Sequence, residues 1–165
     1  MDSSSNTESA RQEPLKYAWI SGDAEFQGMA KHLQPIRMAV DIEADSLYHY
    51  FDKVCLIQIS TDVETFILDP LAITDLSPLN PLMQNPQIEK VFHAAGYDIL
   101  CLRRDYGFSF ATIFDTYIAG QLMGYEYLGL GALMEKLLGI SAEFWMRVQV
   151  YYDLFVERNK ESKAA

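Results

Sequence analysis

Two carboxylates lie inside an apolar run in the first third of the chain. The run covers residues 38–45 and contains Asp41 and Glu43 among side chains typical of a buried strand. Because successive side chains of a strand alternate between its two faces, Asp41 and Glu43 leave the same face. Two adjacent carboxylates repel each other and are costly to bury unpaired, so a cation between them is expected. A hard divalent ion such as Mg²⁺ or Mn²⁺ prefers such oxygen ligands, and ordinary surface acids are the alternative.

A third acid, Asp98, follows a later strand. It comes shortly after His93, in the first turn of the next predicted helix. The ordinary role of an acid at this place is a favourable interaction with the helix dipole. If the preceding strand lies beside residues 36–43 in the sheet, however, Asp98 approaches the face that carries Asp41 and Glu43. Three acids on one side of a sheet are the ligands that two-metal phosphoryl transfer needs.

The elements that position these acids follow from the apolar patterns. Strands are predicted at residues 16–20, 36–43, 53–60, 64–68, 90–94 and 112–115, and helices at 24–33, 77–84, 97–106, 116–123 and 130–138. The strands at 36–43, 53–60 and 64–68 follow one another closely, which favours an antiparallel meander. The strands at 90–94 and 112–115 arrive through helices and are predicted to run parallel to the strand at 36–43. This order predicts an α/β fold, a mixed sheet of five to six strands flanked by helices.

Some side chains have predicted places within these elements. Ser21 or Asp23 is predicted to cap the first helix, and Gly107 is predicted to end the helix at 97–106. Gln58 is predicted to line the core. The helix at 97–106 is predicted to turn three aliphatic side chains inward, namely Ile99, Leu100 and Leu102.

Composition limits the function classes. The chain has 165 residues, of which half are hydrophobic, enough for one domain with a core. Its formal net charge is −10, so a phosphate-bearing substrate is expected to be held locally, by metal ions and a few cations. The absence of a long apolar run and of a secretory leader predicts no membrane attachment. Cys55 and Cys101 lie in apolar surroundings, which favours reduced thiols in a cytoplasmic or other intracellular compartment.

Five short segments carry a resemblance to a known family. They are VDIEADS (residues 40–46), LIQI (56–59), ILDPL (67–71), FHAAGYD (92–98) and FDT (114–116). In this order they resemble the 3′–5′ exonuclease domain of the ribonuclease D group, among the DEDD exonucleases of ribonuclease H-like fold. The resemblance covers roughly residues 16–140 of the chain.

The resemblance implies a role for each acid. Asp41, Glu43 and Asp98 match the first three of the family's four acids and would be both catalytic residues and metal ligands for two Mg²⁺ or Mn²⁺ ions. Asp41 would bridge both ions, Glu43 would bind one and help to position the 3′-terminal nucleotide, and Asp98 would hold the second, partly through water. His93 would contact substrate or make a structural hydrogen bond, and Asp115 matches a structural acid at a helix start.

The chain is predicted either to be truncated before the last family motif or to diverge at it. Family members end on a helix with Tyr-x-x-x-Asp, whose Asp is the fourth ligand and whose Tyr orients the attacking water. Here Asp153 is preceded four residues earlier by Gln149, and Tyr151 would lie roughly 200° from it on a helix. Asp153 is therefore at most a makeshift fourth ligand. The alternative is an amphipathic helix in which Trp145 and its apolar neighbours pack on the body.

The predicted domains are a disordered tail at 1–14, the exonuclease domain at 15–140 and a divergent helical segment at 141–165. The predicted function is metal-dependent removal of nucleotides from the 3′ end of single-stranded RNA, with DNA less favoured and with activity impaired by the missing fourth acid. The alternatives are an inactive nucleic-acid-binding or scaffold module and a phosphatase of small substrates. Both a monomer and a dimer are compatible with the sequence.

Overall fold

A mixed sheet with helices packed on it forms the framework of the molecule in the computed structural model, which describes residues 17–45 and 53–139. The strands are β1 (Ala18–Ile20), β2 (Arg37–Ala44), β3 (Val54–Ser60), β4 (Thr65–Leu68), β5 (Glu89–Phe92) and β6 (Ile113–Asp115). The helices are α1 (Asp23–His32), α2 (Asn80–Gln84), α3 (Gly96–Tyr106), α4 (Thr116–Leu122) and α5 (Leu130–Leu138), and a 3₁₀ turn (Ser77–Leu79) precedes α2.

The six strands lie in the order β1-β4-β3-β2-β5-β6. Strand β3 is antiparallel to both β2 and β4, which confirms the predicted meander. Strand β5 is parallel to β2, and β6 is parallel to β5, as expected for strands reached through helices. The sequence did not predict where β1 belongs, and it joins the far edge of the sheet parallel to β4.

Strand β2 has one buried and one open face. Met38, Val40 and Ile42 are buried, whereas Asp41 and Glu43 point to the opposite side. This alternation is the strand period of two read directly from the sequence. At the beginning of β2 the Arg37 guanidinium pairs with the carboxylate of Glu89, its direct partner on the parallel strand β5.

Helices α1 and α3 bury their apolar sides in the core, with two differences from the sequence-based expectations. Phe26 and Met29 of α1 are buried as predicted, but the N-cap is Gly22 and makes no side-chain cap hydrogen bond. The Asp23 carboxylate instead accepts hydrogen bonds from the Thr74 backbone N–H and hydroxyl, at 2.8 and 2.7 Å. In α3, Leu100 is 61% exposed rather than inward, because the buried side of that helix is centred on Cys101 and Leu102.

The contact between α4 and α5 depends on a glycine. Gly120 is buried in α4, and a Cβ added there would lie 3.1 Å from a Leu133 methyl and 3.2 Å from a Leu128 methyl. Gly120→Val is therefore expected to destabilise the protein by about 1–3 kcal/mol, since the leucines must move apart. Urea unfolding followed by circular dichroism measures this change. Gly28→Val is the matched control, because a Cβ at Gly28 of α1 meets nothing within 4 Å, and an equal loss in both variants would contradict the packing argument.

Some predictions fall outside the described residues. These are the tail at 1–14, the segment at 141–165 and Asp153 within it. Within residues 17–45 and 53–139, no helix is both long and apolar enough to cross a membrane. Cys55 and Cys101 are free thiols, the first half-buried and the second buried.

Candidate active site

The open face of β2 places Asp41 beside a glutamine of the neighbouring strand. Asp41 and Gln58 are direct partners in the β2–β3 ladder. The Gln58 amide donates to the Asp41 carboxylate, with Nε2 3.4 Å from Oδ2. Gln58 is therefore not a core-lining residue as the sequence had suggested, because the register turns it to the acidic side. A polar amide in an otherwise apolar strand, opposite an acid in a hairpin, was the available signal.

Asp98 is electrostatically coupled to both acids of β2. Its carboxyl group is half-buried in the first turn of α3. Burial, together with the negative charges of Asp41, Glu43 and Asp115, raises the pKa of Asp98 to about 7. Burial also raises the pKa of the Asp41 carboxyl, against the opposing effects of the Ile42 backbone N–H and of His93. Three acids from two separate elements thus share one region of negative potential.

His93 lies immediately past the end of β5, where the parallel register continues from Ala39 and Val91 towards Asp41. Its Nδ1 is 2.9 Å from the Thr116 hydroxyl oxygen, and that hydroxyl donates to the Phe92 carbonyl at 3.0 Å. Because the Thr116 hydroxyl hydrogen is already used, Nδ1 of His93 must be the donor in their contact. The neutral imidazole then has its lone pair on Nε2. The structural hydrogen bond that the sequence suggested for His93 is present.

Asp115 is a structural acid, as the sequence indicated, but it makes more contacts than a helix cap requires. It caps α4 by accepting from the backbone N–H groups of Tyr117 and Ile118. It also accepts from those of Ala94 and Ala95 in the turn between β5 and α3, at 3.0 and 2.9 Å. Asp115 therefore joins the turn that leads to Asp98 to the start of α4.

The three carboxylates suit a hard divalent ion, although they do not lie close enough together to hold one. Carboxylate oxygens at Asp41, Glu43 and Asp98 are the ligands that Mg²⁺ and Mn²⁺ prefer. Among residues 17–45 and 53–139, no three acidic, histidine or cysteine side chains are already gathered closely enough to hold a metal ion. Burial is the main cause of the raised pKa of both Asp98 and Asp41, and repulsion by neighbouring carboxylates adds to it at Asp98. The metal-binding role of these three acids stays a prediction.

Comparison with known proteins places the chain in a family. Residues 17–150 match the family model described as 3′–5′ exonuclease. The chain is 40% identical over 116 residues to the exosome complex component 10 homolog of Caenorhabditis elegans, covering 69% of this chain and 13% of that protein. It is 38% identical over 109 residues to ribonuclease D of Zymomonas mobilis, covering 64% of this chain and 28% of that protein.

A solved structure has the same architecture. The catalytic core of RRP6 from Trypanosoma brucei is 28% identical and superposes with a TM-score of 0.70, covering 76% of this chain and 35% of that one. The mixed sheet is thus the ribonuclease H-like fold that the motifs implied. The chain spans less than a third of the length of each of the two relatives it matches above. Since the family model covers most of the sequence, the chain belongs to the 3′–5′ exonuclease family.

Proposed function

We propose that this chain is a metal-dependent 3′–5′ exonuclease domain that removes nucleotides from the 3′ end of RNA. The family supports the reaction class, and the ribonuclease among the relatives favours RNA as the substrate. The observation that carries the proposal is that half-buried Asp98 lies within electrostatic reach of Asp41 and Glu43, whose charges add to the effect of burial in raising its pKa to about 7. Acids coupled in this way on an open sheet face form a site that a divalent ion would neutralise.

The proposed roles are those that the family resemblance implies for these side chains. Two divalent ions bound here would lower the pKa of an attacking water and balance charge on the leaving 3′-oxygen. Asp41 would offer oxygens to both ions, while Gln58 donates to its Oδ2. Glu43 would bind one ion near the terminal nucleotide, and Asp98 the other. His93 would present its Nε2 lone pair to substrate, since Thr116 already occupies Nδ1.

An inactive nucleic-acid-binding module is the second candidate, favoured by one observation. No Tyr-x-x-x-Asp motif is found near Asp153, because Gln149 stands where the tyrosine would be. Losing one of four acids weakens the hold on one ion more than on the other. The proposal therefore predicts slow turnover that increases at high Mn²⁺ concentration, whereas the alternative predicts binding without cleavage.

The experiment uses the 165-residue chain and a 5′-labelled single-stranded RNA. A ladder of products shortened one nucleotide at a time from the 3′ end is expected with Mn²⁺, and none with a chelator present. Mn²⁺ is the better first choice, because it suits oxygen ligands while tolerating less ideal sites than Mg²⁺. Gel electrophoresis of a time course resolves the ladder.

Three control substrates separate the candidates. A circular RNA of the same sequence has no 3′ end and is expected to stay intact, so its cleavage would contradict exonuclease action. A DNA of the same sequence tests the preference for RNA, and a phosphorylated mononucleotide tests the phosphatase alternative. Retained RNA binding without shortening at any Mn²⁺ concentration would support the inactive module instead.

A further inference from the structure

The turn between β5 and α3 adopts a conformation that its own residues do not favour. Ala94 has φ 57°, in the left-handed region that residues with a Cβ seldom occupy. Ala95, the N-cap residue of α3, has no side chain able to cap the helix. Something outside the turn must therefore hold it in place. This turn sets where α3 begins, and Asp98 lies in the first turn of that helix.

The Asp115 carboxylate supplies that support from the end of β6. Its Oδ1 accepts from the N–H groups of Ala94, Tyr117 and Ile118, at 3.0, 2.8 and 3.4 Å, while Oδ2 accepts from Ala95 at 2.9 Å. Burial by itself would raise the pKa of Asp115, but these N–H donors hold it below its ordinary value. The group therefore stays ionised and keeps all four bonds at neutral pH.

Thr116, the next residue, also makes contacts with the end of β5. Its hydroxyl donates to the carbonyl of Phe92, the last residue of β5, and contacts His93 Nδ1. Asp115 and Thr116 together fix the end of β5, the turn and the start of α3 against the start of α4. Neither residue needs to touch a metal ion or the substrate to influence where Asp98 lies.

We infer that Asp115 is a positioning residue, which acts through the left-handed turn at Ala94 to hold Asp98 beside Asp41 and Glu43. This inference rests on the proposed function, because the consequence it predicts is weaker divalent-ion binding by the three acids. Without the bond to Ala95, the residue at which α3 begins loses its contact with the end of β6. Asp98 is then free to move away from like charges that repel it.

Asp115→Asn is the most specific test. An asparagine keeps the shape and one oxygen, which can still serve Ala94 and α4, but its NH₂ group faces the Ala95 N–H and cannot accept from it. The affinity for Mn²⁺, measured by calorimetry on the full chain well below its unfolding temperature, is expected to fall about tenfold or more, within the range seen when groups that orient metal ligands are removed. The circular dichroism spectrum is expected to stay unchanged.

Asp75→Asn is the matched control. Asp75 also accepts from a backbone N–H and a hydroxyl, those of Ser77 at 2.8 and 2.9 Å, but it lies in the loop before α2, outside the acidic site. Its replacement is expected to leave Mn²⁺ affinity within about twofold. If Asp115→Asn lowers thermal stability but leaves Mn²⁺ affinity unchanged, Asp115 is merely structural and the inference is wrong.

A second pair of variants tests the turn without altering the carboxylate. Ala94→Val disfavours the left-handed conformation further and is expected to lower Mn²⁺ affinity, whereas Ala94→Gly accepts it and is expected not to. Equal affinities in the two variants would overturn the inference even if Asp115→Asn does not fold. A wild-type chain that binds no Mn²⁺ would instead refute the proposed function, so the two failures are distinguishable.

Discussion

Asp41→Asn is expected to slow 3′ shortening of RNA by about a hundredfold to a thousandfold, the cost of losing one group that supports charge in the transition state. Asparagine has nearly the same shape, and its oxygen can still accept from Gln58 Nε2. What it lacks is the negative charge and one of the two metal-binding oxygens. The rate of product formation at saturating Mn²⁺ measures the effect.

The same substitution is expected to make the metal-free protein slightly more stable above pH 7. Asp41 is one of the charges that raise the pKa of Asp98, so its removal relieves repulsion when Asp98 ionises. Reduced activity together with unchanged or increased stability separates a lost ligand from a damaged fold. Asp62→Asn is the control, because it removes the same charge away from the site. Asp62 lies exposed in the turn between β3 and β4, at the end of β3 remote from Glu43. Comparable loss in that control, or full activity of Asp41→Asn, would contradict the assigned role.

The affinity for Mn²⁺ is expected to rise about tenfold for each pH unit between pH 5 and 7, and to level off above pH 7. The folded metal-free protein keeps a proton on Asp98 up to about pH 7, whereas the carboxyl of an unfolded chain loses it near its ordinary value of 3.8. A metal ion must displace that proton, so binding strengthens as the proton is lost. Asp41 shifts in the same direction and reinforces the trend. Calorimetric titrations at several pH values measure it.

In the absence of metal, the stability of the fold is expected to fall as the pH rises. A raised carboxyl pKa stabilises the fold where the group is protonated, and this contribution is lost as the pH rises through about 7. The metal-free chain is therefore expected to unfold at lower temperature at pH 8 than at pH 5.5, and Mn²⁺ is expected to reverse the order. Asp98→Asn should make the unfolding temperature of the metal-free chain depend less on pH. An Mn²⁺ affinity that does not change with pH would show that Asp98 takes no part in binding.

The order of strands and helices was predictable because local patterns determine it. Short apolar runs with turn residues between them identified the meander, and helices between later strands required parallel pairing. The shared face of Asp41 and Glu43 followed from the strand period alone. The nearness of Asp98 needed one further assumption, that β5 lies beside β2, and the parallel pairing of Ala39 with Val91 supports it.

Other features depend on register and tertiary contacts that the sequence does not show locally. Gln58 faces Asp41 because of the exact residue pairing between β2 and β3. The sequence did not predict that pairing, because the connection between the two strands is too long to determine it. Lys90 was placed in a strand correctly, but its complete burial is possible only because its ammonium donates to the carbonyls of Asn85 and Ile88. The contacts of Asp115 with Ala94 and Ala95 join segments about 20 residues apart. No period in the sequence encodes such a contact.

The pairing of β1 with β4 has a practical consequence for shortening the chain. Only three residues of β1 cover the backbone edge of β4, from Ala18 opposite Phe66 to Ile20 opposite Leu68. The Ile20 carbonyl also accepts from the Asp69 N–H at 2.9 Å. A version trimmed past Ile20 would leave this edge open beside an apolar strand, which invites aggregation through strand addition from a neighbouring molecule. Any minimal version of the domain should therefore begin before Ala18.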